Sequence, residues 1–280
     1  FLAWVSRISE RLGVELVHID GKTVRGSYDR DGQLKALHSV SAWSSEHGLV
    51  LGQQKVDAKS NEITAVPLLL KLLNLKGTIV TLDAMGTQTA IATQIKQAEG
   101  DYVLALKGNQ GNLFEAVQQQ FEATSAPPHE PDFYETTEVN HGRLETRRCW
   151  CLGSVEHLID TDKWAQLTSI VKVESRRTVD GHTSHEERYY ISSLAPDAAL
   201  LASAIRTHWS IENSLHWVLD IAFQEDDCRI RTGHAPENFA LLRQLASSVL
   251  QQEQTAQLGI KNKRLRAGWD DDYLLKVLAG

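Results

Sequence analysis

The sequence is short of cysteine, of positive charge and of long apolar runs, and each shortage removes a class of protein. Three cysteines occur in 280 residues. Cys149 and Cys151 stand two apart, so neither a disulfide framework nor a four-thiolate zinc site can be assembled, and a reducing cytoplasm is the expected compartment. No stretch approaches the roughly 18 apolar residues of a membrane helix, and the opening FLAWVSRISERLG has neither a basic start nor a small-residue cleavage site. No membrane partner is expected. The first residue is Phe and about one helix precedes the first apolar strand, so a further N-terminal segment of the gene product is an expectation. Internal repeats and long low-complexity tracts are absent as well.

Positive charge is scarce overall, the net charge being -7, and phosphate binding rewards lysine and arginine. Its distribution is uneven, however. Lys22, Arg25 and Arg30 cluster early, Arg143, Arg147 and Arg148 in the middle, and Lys261, Lys263, Arg264 and Arg266 late. Taken alone, each cluster is ordinarily a solvated face. Hydrophobic residues make up 42%, enough for one large core or two modest ones, and disorder of the whole chain is excluded.

Residues 14–20, VELVHID, form an apolar run ending in an acid, and GKTVRGSYDRDGQ after it supplies turn chemistry. HSVSAWSS and GLVLGQQKV follow as β-rich runs joined through Glu46, His47 and Gly48, which predicts three antiparallel strands. Ser60 and Asn61 offer caps to a helix over EITAVPLLLKLLN, where Ile63, Val66, Leu70 and Leu73 recur at helical spacing. GTIVTLD (77–83) is a strand covered on both faces. TQTAIATQIKQAEG then reads as a helix, DYVLALK as a strand and GNLFEAVQQQFEA as a helix. SAPPHEPD holds three of the six prolines and breaks the pattern.

From about 132 to 193 the chain reads as strands, with Asp180 and Gly181 as a hairpin signal. After Pro196 it turns helical over DAALLASAIRTHWSIENSLHWVLDIAF and APENFALLRQLASSVLQQEQ, with one short helix at Tyr273–Leu278. The expected division is a first part of the core at 1–129, a β-rich insertion at 130–195, and a helical remainder of the core at 196–280. Three antiparallel strands followed by helix, strand, helix and strand give the α/β order of an RNase H-like mixed sheet flanked by helices.

Asp20 and Asp83 each close an apolar run, and sites gather at the carboxyl ends of strands in such sheets, although one aspartate after a strand is more often a cap or turn residue. Glu212 supplies a third acid inside HWSIENSLHW. His208, Glu212 and His216 are four apart and share a helix face, a pattern that a solvated or hydrogen-bonded face also gives. Three carboxylates suit Mg²⁺ or Mn²⁺, two of which clamp the oxygens of an in-line phosphoryl displacement. Asp57, Glu62, Asp220, Glu225, Asp226 and Asp227 are competing acids. Glu62 reads as an N-terminal helix charge, and the EDDCRIR acids as support behind the three carboxylates or as partners of Arg229 and Arg231, and they are the fallback ligands. His208, Glu212 and His216 lack the HExxH spacing of zinc hydrolases.

At this point the segments VHIDGKTVRGS, QQKVDAKSNEI, VTLDAMGTQ, YVLALKGNQ, HGRLETR, RYYISSL and HWSIENSLHWVLDIAFQEDDCRIR resemble, in order and over nearly the whole chain, the H-repeat-associated branch of DDE bacterial insertion-sequence transposases. The resemblance implies Asp20, Asp83 and Glu212 as catalytic, metal-holding residues for DNA cleavage and strand transfer with two Mg²⁺ or Mn²⁺ ions. It implies transposon ends and target DNA as partners, and a homodimer on DNA. Relatives with a β-strand insertion carry Tyr, Arg, Glu and Lys around the glutamate, where this chain has Ile205, His208, Glu212 and Leu219. Lys22, Arg25, Lys107, Asn109, Arg143, Arg147, Arg148, His208, Trp209, Asn213 and His216 are candidate DNA contacts, with Trp209 and Trp217 placed to stack on a base or to pack in the core. The alternative is a truncated or domesticated transposase that binds or regulates DNA without mobilising it.

Overall fold

A computed structural model describes residues 15–29, 35–57, 60–123, 131–140, 142–153, 155 and 158–279. The helix expected ahead of the first strand, Arg30, most of the proline-rich break and the boundary expected at 129/130 lie outside the described residues. The chain divides into two compact units, residues 1–74 with 208–280, and residues 75–207.

In the first unit β1 (Leu16–Val24), β2 (Leu37–Ser44) and β3 (Leu49–Lys55) pair antiparallel in the order β3-β2-β1. The connection between β2 and β3 ends at Gly48, whose φ of +60° favours glycine. β1 is longer than the apolar run suggests. Its ladder continues from Asp20↔Ser41 to Val24↔Leu37, so Asp20 stands within the strand and does not close it. Gly21 and Lys22, read as turn residues, are strand residues. Gly21 is glycine because the Glu62 carboxylate fills the space its side chain would need, an ideal Cβ falling 2.1 Å from Glu62 Oε1.

Each face of this small sheet has its own cover. α1 (Glu62–Leu70) buries Ala65, Val66, Leu69 and Leu70 over Gly52, whose missing side chain admits Leu69. On the other face a helical run packs Ile211, Leu215 and Leu219 against Trp43 and Val50, all buried. This run was expected to be one long helix. It is α4 (Ala198–His208), a π-helical segment at Ile211–His216, and α5 (Trp217–Phe223). The amide of Trp217 donates to Glu212 O, and Asn213 Nδ2 donates to Trp209 O at 3.0 Å. α6 (Ala235–Gln252) buttresses the segment, since Ser248 Oγ accepts from the Val50 amide and Gln251 Nε2 donates to Ser214 O.

The tail holds two helices where one was expected, α7 (Ile260–Ala267) and α8 (Asp271–Ala279). IKNKRLRA has no apolar stripe to announce a helix. It docks instead through buried Lys263, whose ammonium donates to the carbonyls of Leu250 and Glu253, beside a cluster of Leu250, Tyr273 and Val277.

The second unit contains β4 (Ile79–Leu82), α2 (Thr89–Gln97), β5 (Asp101–Leu106), α3 (Gly111–Ala123), β6 (Asp132–Asn140), β7 (Arg143–Leu152), β8 (Ser169–Val179), β9 (His182–Ser192) and most of α4. Its strand order is β4-β5-β9-β8-β7-β6. β4 and β5 are parallel, joined by α2 as a crossover. β9 pairs antiparallel with β5 from Val103↔Ser192 to Leu106↔Tyr189, so the strand-rich segment extends the sheet directly from β5. Asp180 and Gly181, at φ +49° and +78°, make the two-residue turn their sequence predicts. No helix among the described residues is long and apolar enough to cross a membrane.

Beyond β1, the chain at Gly26 runs against residues 226–228. Gly26 N–H donates to Asp226 O at 2.8 Å, and an added Cβ would lie 2.6 Å from Asp226 O and 2.8 Å from Cys228 O. Both neighbours are backbone and cannot swing aside. Gly26→Ala is therefore expected to cost about 2 kcal/mol of stability. A lowered urea midpoint at unchanged slope checks this, and an unshifted midpoint would refute the close approach.

Candidate functional site

Side chains of a strand alternate between faces, so His18, Asp20 and Lys22 project to the side of β1 that the helical run covers. Ile211, Leu215 and Leu219 form the apolar stripe of that run. His216 and Asp220 are each one position further round, which carries them to Asp20 and Lys22 of β1. Asp20 Oδ2 lies 3.6 Å from His216 Nδ1, with the two side chains 19% and 12% exposed. His18, fully buried, shares a hydrogen bond of 2.8 Å between Nε2 and Ser45 Oγ, and its ring meets that of His208 edge-on at 5.8 Å. Glu212 itself is exposed on the π-helical segment, a wide turn of a kind common at functional sites.

The histidines are neutral here. Burial, then repulsion from Lys22 and His208, lowers His216 to about 4, and burial followed by His208 lowers His18 to about 3. His216 therefore brings no positive charge to Asp20 near pH 7. Its Nε2 is buried without a hydrogen-bond partner.

Two residues beyond Asp20, the Lys22 ammonium is held by Asp220 Oδ1 at 2.7 Å, Asp226 Oδ1 at 3.2 Å and Glu225 Oε2 at 3.8 Å, with 9% of its side chain exposed. A buried lysine among three acids is directed into the protein, not toward a phosphate. Arg25 is 84% exposed and sets its Nε 3.3 Å from Asp226 Oδ2, and Arg243 Nη1 lies 3.9 Å from Glu225 Oε1. The EDDCRIR acids thus find Lys22, Arg25 and Arg243, where the sequence suggested Arg229 and Arg231. Sequence distance hid this, because Lys22 lies nearly the whole chain away.

In the second unit Asp83 directly follows β4, as expected. Its Oδ1 accepts the amides of Met85 and Gly86, both at 3.0 Å, an Asx turn that fixes the carboxylate. Thr87 Oγ1 donates to Ala105 O, Asn109 Nδ2 to Ala84 O and Gln110 Nε2 to Thr87 O, at 2.6, 2.6 and 2.7 Å. Asn109, a candidate DNA contact, thus clamps the loop that carries Asp83. Lys107 beside it is exposed.

The three arginines of β7 are not free cations. Arg143 pairs with Glu145 at 3.4 Å, Arg147 with Glu145 and with Glu138 at 3.5 Å, and Arg148 with Glu135 at 2.5 Å. Acids of the same hairpin, Glu145 on β7 itself and Glu138 and Glu135 across on β6, already meet the charge expected there for DNA. Asn213 is exposed, and Trp209 is half-buried. Glu62 does begin α1, and in addition its Oε1 lies 2.7 Å from His38 Nε2, a contact the sequence did not signal.

The donor chemistry fits divalent cations. Asp20, Asp83 and Glu212 offer only hard carboxylate oxygens, and the turn at Asp83 engages Oδ1. Among the described residues one group of three ligand atoms lies mutually within 4.8 Å, that of Glu174, His185 and Glu187 on β8 and β9. Arg176 at 2.6 Å from Glu174 and Lys172 at 2.8 Å from Glu187 already neutralise it.

The family described as "Transposase DDE domain" matches residues 13–249. The chain is 42% identical over 285 residues to "Putative protein YbfL" of Escherichia coli (strain K12), covering 100% of this chain and 75% of that protein. It is 41% identical over 285 residues to "H repeat-associated putative transposase YhhI" of the same strain, with the same coverage. It is 42% identical over 283 residues to "Putative transposase YncI" of Escherichia coli O157:H7, covering 100% of this chain and 73% of that one. Among solved structures, a piggyBac transposase synaptic complex with hairpin DNA aligns with a TM-score of 0.50 at 10% identity, over 95% of this chain and 54% of that chain. This chain thus spans about half the length of that protein. The likeness is one of fold, and the fold is RNase H-like.

Burial pushes Glu225 up to about 7, against the opposing pull of Lys22 and Arg243. Its contacts of 3.8 and 3.9 Å are long for ion pairs, and its Oε1 is buried without a hydrogen bond. A carboxyl raised above its unfolded value of 4.5 stabilises the fold fully below that pH and loses the contribution as pH rises through about 7. Glu225→Gln, neutral throughout, is expected to be more stable than wild type by about 2 kcal/mol at pH 8, with the difference shrinking toward zero at pH 5. Urea midpoints at the two pH values test this, and a less stable variant at pH 8 would contradict it.

Proposed function

Because the chain belongs to the DDE transposase family, we propose that it is the catalytic portion of an insertion-sequence transposase in which Asp20, Asp83 and Glu212 hold two divalent cations, Mg²⁺ or Mn²⁺. The observation that carries this reading is local to the first unit. An acid within β1 and the helical segment bearing Glu212, from opposite ends of the sequence, meet on one face of the sheet at the Asp20–His216 contact of 3.6 Å.

Divalent cations bound by these carboxylates supply Lewis acidity to the phosphoryl oxygens and ease the approach of a nucleophile to a polyanion. The chain's own residues supply placement. His216 stands 3.6 Å from half-buried Asp20, the amides of Met85 and Gly86 hold Asp83, and Glu212 is exposed on its wide turn. In the reaction proposed, a water oxygen attacks phosphorus at the element's end and the bond to the 3' oxygen breaks. The freed 3'-hydroxyl then attacks a target phosphodiester, giving up its proton and displacing a second 3' oxygen. Both steps are in-line displacements, so one set of carboxylates serves both.

Exposed Arg25, Lys107 and Asn213 are the proposed phosphate and sugar contacts, joined by Trp209 and His208 near the third carboxylate. Two copies are proposed to act on paired ends. Lys22 and the β7 arginines, occupied by carboxylates, are not needed for this role.

Asp20→Ala, Asp83→Ala and Glu212→Ala are each expected to reduce Mg²⁺-dependent cleavage and strand transfer on the element's own ends to background. Unfolding midpoints should barely move for Asp20→Ala and Glu212→Ala, where removing one acid relieves repulsion, and should fall modestly for Asp83→Ala, which loses the bonds from the Met85 and Gly86 amides. Full activity of any one variant would remove that residue from the site. Wild-type binding of the ends without cleavage in Mg²⁺ or Mn²⁺ would favour a DNA-binding protein that does not mobilise DNA.

A further inference from the structure

We propose that Lys22 is the positioning residue that fixes Asp20 relative to Glu212, a role that rests on the metal-dependent reading above. Asp20 and Lys22 are alternate residues of β1, so they point the same way and stand about 6.6 Å apart. His216 and Asp220 are four residues apart on the helical run, which advances about 6 Å over that interval. The two spacings match, and the structure uses the match. Asp20 meets His216 at 3.6 Å and Lys22 meets Asp220 at 2.7 Å. Glu212 precedes His216 by four residues in the same π-helical segment. Whatever fixes the run along β1 therefore also fixes how far Glu212 lies from Asp20.

Of the two contacts, that of Lys22 is the tighter. The Asp20–His216 separation of 3.6 Å exceeds a hydrogen bond. The Lys22 bond is short, charge-assisted and nearly buried, and such bonds are about twice as strong as neutral ones. It is also reinforced. Asp226 accepts from the Lys22 ammonium and from the Arg25 amide, both at 3.2 Å, and its own carbonyl accepts Gly26 N–H at 2.8 Å. The end of β1 and the chain following α5 are stitched at several points, with Lys22 at the centre. Asp220 and Asp226 are its near partners, and Glu225 Oε2 stands farther off at 3.8 Å.

The role makes Lys22 a device for metal affinity, not a DNA contact. Groups that orient metal-binding carboxylates typically change affinity by about 10- to 100-fold when removed. Lys22→Met in the full chain is expected to weaken Mn²⁺ binding, measured by calorimetry without DNA, by about that factor. It should raise the Mg²⁺ concentration for half-maximal cleavage equally. Asp220→Asn removes only the shortest partner and should move both quantities in the same direction by less. Lys22→Arg, which keeps the charge and can bridge two carboxylates, should restore most of the affinity. Binding of end DNA without metal should stay within about twofold, with an unchanged salt dependence.

Unaltered Mn²⁺ affinity in Lys22→Met would overturn the proposal. If that variant does not fold, unaltered affinity in Asp220→Asn would overturn it. A loss of DNA affinity with a salt slope reduced by about one, at intact metal binding, would make Lys22 a phosphate contact and overturn it equally. Failure of the underlying reading looks different: the wild type would then bind Mn²⁺ no better than Asp20→Asn, and both ideas would fall together.

Discussion

The packing of Ile211, Leu215 and Leu219 on Trp43 and Val50 is the constraint on which the first unit depends. It is dry, fully buried, and joins chain segments from opposite ends of the sequence. An apolar stripe that must face the sheet sets which way the positions beside it turn. His216 and Asp220 follow the stripe by one residue each and meet Asp20 and Lys22 of β1 once the stripe is seated. The facing of these polar residues is therefore set by an apolar contact, and their placement along β1 is left to the polar pairs. The same seating places Lys22 among acids, where its charge offsets part of a repulsion that would otherwise push the strand and the helical run apart.

Most elements were legible because their causes are local. The alternation in β2 and β3, the apolar run of β4 and the Asp180–Gly181 turn each declare themselves within a few residues. Where the reading failed, the deciding neighbour was remote. Gly21 looked like turn chemistry but is a strand residue that makes room for Glu62. α7 was missed because its sequence has no apolar stripe; it is held by buried Lys263 donating to backbone carbonyls and by Ile260 and Ala267 at its ends. The periodicity of the long helical run does not disclose its break into a π-helical segment.

The candidate site was legible in a similar way. Residue type and the run of apolar residues before them singled out Asp20, Asp83 and Glu212, and β4 does deliver Asp83 at its end. What the sequence could not give was the use made of the cations. Lys22 and Arg148 looked available for phosphate because their acidic partners sit at the far end of the chain or on another strand, and Arg143 and Arg147 because the pairing of Glu145 and Glu138 with them was not read. Counting charges along the sequence treats such groups as free. Only the cross-strand register and the folding back of residues 220–226 show that their charge is spent internally.

The first unit is discontinuous, and that has a consequence for synthesis. β1, β2 and β3 leave the ribosome early, yet the residues that cover the Trp43 face begin at 208. At about 5–20 residues per second, that face waits on the order of 10 s for its cover, while the strands of the second unit are made and can pair among themselves. During this interval an uncovered apolar sheet face is the part of the nascent chain most exposed to wrong partners. A product cut short anywhere before residue 208 never acquires the cover. Such a fragment lacks Glu212 and also keeps Trp43 and Val50 open to solvent, which marks it for aggregation or proteolysis and prevents it from lingering as a folded, inactive competitor.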